Sequence, residues 1–229
     1  MTDRQQIAGI TGRTAVVTGA AGGIGGAVVA ALTEAGARVV GWDTTGAPDP
    51  DTLDVDVTDA AAVRDAWRRT EDTGGPVDLL VSAAGVMSDD WDRCMAVNAG
   101  GVRNVLDQAA QRMTPRGRGS IVVVSSNAAA APRAAIPAYA ASKAAATSYT
   151  RSIGLRLAPN GIRVNLVSPG STDTAMLRGM WSSPADRDRV LSGVPEDFRL
   201  GIPLGRIAEP TDVADTVLFL ASDAARHIT

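Results

Sequence analysis

The run Thr14 to Thr18 (TAVVT) is apolar and β-branched, and it leads into Gly19-Ala20-Ala21-Gly22-Gly23-Ile24-Gly25 before AVVAALTEAGA takes up a helical pattern. A strand, a glycine turn and a helix in that order form the setting in which a dinucleotide-binding turn works. Glycines allow the backbone to approach a pyrophosphate, and the free N–H groups and dipole of the helix N-terminus stabilise its charge. Without such a ligand the same stretch is a plain tight turn.

Later runs repeat the theme. Arg38 to Trp42 (RVVGW), a short strand leading to Asp54-Val55-Asp56-Val57, Val77 to Val81, Ile121 to Val124 and Ile162 to Val167 all read as strands. Thr58 or Asp59 is placed to cap the helix that follows the third of these, and Pro210 to Ala221 reads as a helix with proline in its first turn. The composition is 45% apolar but only 3% aromatic, so Val, Ala, Leu and Ile must fill the core. That suits a parallel sheet covered by helices. The expectation is an α/β, Rossmann-like, doubly wound parallel sheet with helices on both faces. The 229 residues carry no repeat or linker and read as one domain, 1–229.

A net charge of −3 gives no electrostatic case for nucleic acid or an anionic membrane, and a small-molecule partner fits better. Cys94 is the single cysteine and His227 the single histidine, so no internal disulfide or Cys/His metal cluster is expected, and Cys94 reads as a small buried hydrophobe. No apolar run reaches membrane-spanning length, and MTDRQQIAGI lacks the core of a signal peptide. These features read as a soluble cytoplasmic protein.

Two placements carry chemistry. Asp43 follows Gly25 by 18 residues at the end of the second strand, where a carboxylate can accept from ribose hydroxyls and repel a 2′-phosphate. No arginine follows in TTGAPDP, which favours NAD over NADP; the other reading is a loop or capping aspartate. Ser126, Tyr139 and Lys143 are separated by 12 and 3 residues. On a helix Tyr139 and Lys143 share one face, and an ammonium beside a phenol lowers its pKa toward use as a general base. A serine at a strand end can then hold a substrate oxygen. Taken alone, the pair is an ordinary surface couple.

Together with Asn98 and Pro169-Gly170, these residues resemble the short-chain dehydrogenase/reductase family over essentially the whole chain, with Gly19-x3-Gly23-x-Gly25 as that family's form of the glycine turn. The resemblance implies a catalytic set of Asn98, Ser126, Tyr139 and Lys143, in which Asn98 holds a water linking the lysine to solvent. It also implies cofactor contacts from Gly19, Gly23, Ile24, Gly25, Asp43, Asp56, Val57, Ala83, Ala84, Gly85, Tyr139, Lys143, Pro169, Gly170, Thr172 and Thr174, and a homodimer or homotetramer. Three departures stand out. Ser82 replaces the family's usual asparagine before Ala83-Ala84-Gly85, the loop from Val86 is short, and the chain stops at His227-Ile228-Thr229 before the usual last strand, which would leave a sheet edge open.

The runs VSPGSTDTAMLRGMW and LGIPLGRIAEPTDVADTVLFLASDAARHIT are similar to the branch of the family that aromatises a carboxylated cyclohexadiene diol on the way to catechol siderophores. Such a substrate makes Arg133, six residues before Tyr139, a candidate carboxylate anchor. The alternative is a solvated surface arginine. Residues 175–203 break the strand and helix rhythm as a lid would, and Met176, Leu177, Met180 and Trp181 offer an apolar wall for a ring. The rival readings are an amino analogue or another cyclic alcohol as substrate, a β-ketoacyl carrier-protein reductase, which Asp43 disfavours, and a non-catalytic NAD-sensing or scaffold protein.

Overall fold

All the strands read from the sequence join one parallel sheet. In the computed structural model, which describes residues 8–45 and 51–229, they are β1 (Thr14–Thr18), β2 (Arg38–Asp43), β3 (Thr52–Asp54), β4 (Val77–Ser82), β5 (Gly119–Val124) and β6 (Ile162–Val167). Residues 1–7 and 46–50 lie outside the described set, including most of the stretch in which no arginine follows Asp43. The strand order is β3-β2-β1-β4-β5-β6, with every pair parallel. The chain winds outward from β1 to β3 and then returns to place β4 on the other side of β1. Loops leaving β1 and β4 therefore part at their carboxyl ends, and a ligand crevice opens there.

The helices are α1 (Gly23–Glu34), α2 (Ala60–Gly74), α3 (Trp91–Cys94), α4 (Val102–Met113), α5 (Pro137–Leu157), α6 (Ala175–Arg178), α7 (Ala185–Ser192) and α8 (Pro210–Ala221). Alternation along the strands divides the core in two. Ala15, Val17, Leu79, Val81, Val122 and Val124 pack under α1 and α8. Val16, Leu80, Ile121 and Val123 pack under α2, α4 and α5. Beside β2, Trp42 and Trp67 meet edge to face at 5.9 Å and 79°. Both are fully buried, so truncating either to alanine costs about 3–5 kcal/mol. Asp59, not Thr58, caps α2, accepting from Ala61 and Ala62 N–H at 2.7 and 3.2 Å.

Residues 175–203 form α6, α7 and a small antiparallel hairpin, β7 (Gly193–Val194) and β8 (Arg199–Leu200), apart from the main sheet. Phe198 turns that hairpin at φ 53°, a backbone region that costs a bulky residue free energy. At the far side of the sheet β6 is the outermost strand among the described residues. Its outer edge is partly met, since Val164 N–H donates to Thr229 Oγ1 at 3.1 Å and Asn165 Nδ2 to the Ile228 carbonyl at 2.9 Å. Among the described residues no helix is long and apolar enough to cross a membrane.

Candidate active site

A trough of about 520 Å³ runs along the carboxyl ends of β1, β2 and β4, lined by the glycine turn, Asp43, Asp56, Val57 and Ala83 to Gly85. Its floor is backbone because side chains would not fit. A Cβ on Gly25 would stand 1.9 Å from the Gly19 carbonyl oxygen, and one on Gly19, at φ 71°, would stand 2.7 Å from Ala84. The Thr18 hydroxyl fixes this joint, accepting from Ala83 and Ala84 N–H at 3.2 Å each beside the substituted Ser82. Helix α1 is N-capped by Gly22, which offers no side-chain cap, and has no acid in its first turn, so its first N–H groups are left for an anion. Asp43 closes the end of the trough. Partial burial pushes its carboxyl up, but donors from Thr45, Ala21 and Thr44 outweigh that and hold it below its ordinary value. It stays ionised at neutral pH, with Oδ2 taking the Ala21 N–H at 3.0 Å. A glycine-lined cradle, a free helix N-terminus and a carboxylate at the second strand's end fit a dinucleotide.

At the other end of the trough stand the polar groups of α5 and its neighbours. Ser126 ends the segment after β5, where its Oγ accepts from Ala128 N–H at 3.1 Å and its side chain engages the Tyr139 phenol. Lys143, one turn on, is 5% exposed; its Nζ donates to the Val124 carbonyl at 3.1 Å and lies 5.9 Å from the Tyr139 ring centroid. Asn98 is fully buried in a π-helical turn, Met95–Gly101, a widened form often kept where backbone groups serve a site. Its Oδ1 accepts from Val86 N–H at 2.8 Å, and Nδ2 donates to the Val86 carbonyl and to Ser142 Oγ, each at 2.9 Å. A Cβ on Gly85 would sit 3.1 Å from Asn98 Oδ1 and 3.3 Å from Lys143 Nζ, so both groups converge over that glycine.

The ionisation differs from what the Tyr139 and Lys143 spacing suggests. Burial pushes the Tyr139 phenol up from its ordinary value; Ser126 opposes this and Cys94 adds to it, and Lys143 does not enter as a cause. Burial instead brings Lys143 down to about 8. The helix spacing puts the two side chains on one face, but burial governs both ionisations in the protein alone, and neither group is among the causes of the other's shift.

A second cleft of about 560 Å³ opens directly from the trough, sharing Ile24, Thr174 and Met176 with it. Ser126 and Tyr139 are at its base, Pro169, Gly170 and Thr172 along one side, and Arg133, Met176, Leu177 and Met180 on its walls. Thr174 caps α6 with its hydroxyl, accepting from Leu177 N–H at 3.3 Å. Trp181 is the exception among the expected substrate contacts. It does not line the cleft, because the chain turns after α6 and leaves the indole Nε1 buried among protein atoms without a partner. Sequence reasoning missed Met87, Ser171 and Arg199 in the lining. Met87 was within reach of the sequence as part of the short loop after β4. Arg199 carried no signal, being brought in by a two-residue strand 60 residues beyond Tyr139.

The sheet order, the glycine trough and the paired clefts define a nicotinamide-dependent oxidoreductase of the Rossmann type. A family model described as enoyl-(acyl carrier protein) reductase matches residues 19–229. The chain belongs to the short-chain dehydrogenase/reductase family. It is 44% identical to the 2,3-dihydro-2,3-dihydroxybenzoate dehydrogenase of Escherichia coli (strain K12), covering 96% of this chain and 93% of the relative. Identity to the enzyme of the same name from Bacillus subtilis (strain 168) is 40%, with the same coverage. Among solved structures, a ligand-free aldohexose dehydrogenase of Thermoplasma acidophilum superposes with a TM-score of 0.87 at 29% identity, covering 97% of this chain and 92% of the other.

Proposed function

We propose that the protein oxidises 2,3-dihydro-2,3-dihydroxybenzoate to 2,3-dihydroxybenzoate with NAD⁺. The observation that carries this reading is the single cleft in which Ser126 and Tyr139 lie at the base and Arg133 on the wall. This cleft opens from a trough that ends at an ionised Asp43. The names and coverage of the two dihydrodiol dehydrogenase relatives support the choice of substrate.

The residues proposed to hold the cofactor are the glycine turn with Ile24, Asp43, Asp56, Val57, Ala83 to Gly85, Tyr139, Lys143, Pro169, Gly170, Thr172 and Thr174. When bound, an oxidised nicotinamide supplies the hydride acceptor and a positive charge. Asp43 would accept from the ribose hydroxyls and disfavour a 2′-phosphate by like-charge repulsion. Ser126 donates to the reacting substrate oxygen, and Tyr139, which burial keeps protonated in the cofactor-free protein, would take the substrate's hydroxyl proton as a phenolate once the positive charge of a bound oxidised nicotinamide favours its ionisation, as the carbinol hydrogen leaves as hydride. Lys143, held on the Val124 carbonyl, keeps positive charge near that proton, and Asn98 sets the path by which it reaches solvent. Arg133 pairs with the ring carboxylate. The ketone tautomerises to a catechol ring, and the aromaticity gained drives the oxidation forward. The family resemblance further suggests a cytoplasmic homodimer or homotetramer, which light scattering tests.

Purified protein with NAD⁺ and the dihydrodiol is expected to yield equimolar NADH and 2,3-dihydroxybenzoate. With NADP⁺ the rate is expected to be lower by about tenfold or more, and Asp43→Ser to narrow that ratio. Equal rates with both cofactors contradict the role given to Asp43. Turnover of the amino analogue but not the diol contradicts the substrate.

A further inference from the structure

Arginines in and just after the segment over the cleft differ in whether they have partners. Arg178 meets Asp173 at 2.6 Å, Arg189 meets Glu196 at 3.2 Å, and Arg206 meets Asp212 at 2.8 Å. Arg199 has no such partner. Among the described residues it makes no ion pair, and its side-chain bond is to a hydroxyl, Ser171 Oγ at 3.2 Å. It is half-buried in the lining of the cleft, as is Arg133, which also makes no ion pair among the described residues. The Arg133 guanidinium is close enough for its charge to act on Arg199. Burial first, and then Arg133, bring Arg199 below its ordinary value, and the Asp197 carboxylate only partly opposes them.

Two like charges brought together in a partly dry cleft cost free energy unless an anion lies between them. Among the described residues no carboxylate forms an ion pair with either arginine, although Asp197 acts on Arg199 from a distance. The carboxylate nearest in sequence, Asp197, is exposed on the hairpin turn, and Asp212 in the lining is taken by Arg206. Arg133 comes from the loop before α5 and Arg199 from β8, so the pair faces the cleft from two different elements.

We propose that Arg199 is a second carboxylate-binding residue, which with Arg133 clamps the substrate's ring carboxylate between the loop before α5 and the β7–β8 hairpin. The proposal rests on the substrate reading above and adds a residue to it. Guanidinium forks suit a shared carboxylate, because each of its oxygens accepts more than one N–H. Ser171 keeps the Arg199 fork aimed into the cleft, next to the Pro169-Gly170 turn. A carboxylate bridging both arginines also ties residues 175–203 to the sheet, so the substrate itself helps close the segment over its ring.

The test is equilibrium binding by calorimetry to protein saturated with NADH, using 2,3-dihydroxybenzoate and its decarboxylated analogue catechol as probes. Wild type is expected to bind the acid more tightly than catechol. Arg199→Gln is expected to weaken the acid by about tenfold or more while leaving catechol unchanged. Arg199→Lys is expected to recover part of the loss, since it keeps the charge but not the fork. Because Arg133 and Arg199 share one ligand, Arg133→Gln combined with Arg199→Gln is expected to cost less than the product of the single losses. Three results overturn the proposal: equal affinity of wild type for both probes, unchanged acid binding in Arg199→Gln, or an equal loss for acid and catechol. Turnover of the dihydrodiol, measured separately, distinguishes the two claims. Turnover without Arg199-dependent binding removes only the clamp. Arg199-dependent binding of the acid without dihydrodiol turnover removes only the assigned reaction.

Discussion

The two clefts that meet at Thr174 are built by different means. The cofactor trough is a backbone construction, in which glycines, a helix N-terminus and strand ends present N–H groups and bare surface. The substrate cleft is a side-chain construction, in which Arg133, Met176, Met180 and Arg199 arrive from separate loops and short elements. A backbone site has little freedom to vary, because one added methyl collides with main chain. A side-chain site can be re-lined residue by residue, which allows one fold to serve many cyclic alcohols.

The largest effect that can break this comparison lies in the trough. Gly25→Ala is expected to abolish NADH binding, measured by fluorescence titration, because the new Cβ would overlap the Gly19 carbonyl oxygen at 1.9 Å. Retained binding would mean that the turn yields and is not a rigid cradle.

Lys143 gives the next test. Its ammonium titrates near about 8 in the fold against 10.5 when exposed, so between those values the unfolded chain holds the extra proton. Stability therefore rises with pH across this window, and the cost of the buried charge is fully present below pH 8. Between about pH 8 and 10.5, denaturant unfolding of the cofactor-free protein should show wild type gaining about 3 kcal/mol relative to Lys143→Met. Parallel curves would contradict a dry site.

The smallest effect belongs to Trp181. Its indole lies outside the cleft, so Trp181→Phe is expected to leave KM for the dihydrodiol within about twofold, whereas a ring contact would be worth more. A large rise in KM would place the indole against the substrate.

The same contrast explains what could be read from the sequence. Strand runs, the glycine turn and Pro210 to Ala221 were legible because apolar periodicity and glycine spacing are local properties. β6 and α8 have the bounds the sequence suggests. The i, i+4 rule brought Tyr139 and Lys143 onto one face of α5 but not the sign of the tyrosine's shift, which depends on how dry the surroundings are. Trp181 read as part of the ring wall with Met176, Leu177 and Met180 as one apolar cluster, yet the turn after α6 takes it elsewhere. Arg199 was invisible for the opposite reason: nothing local marks it, and only the hairpin fold brings it near Arg133.

The most direct measurement of the central claim is the initial rate of NADH formation from the dihydrodiol by wild type and Tyr139→Phe, with NADH affinity measured on both. Loss of the proton acceptor predicts a rate lower by about 10²–10⁴-fold with cofactor binding unchanged. A Tyr139→Phe protein that turns over within a few fold of wild type would contradict the account.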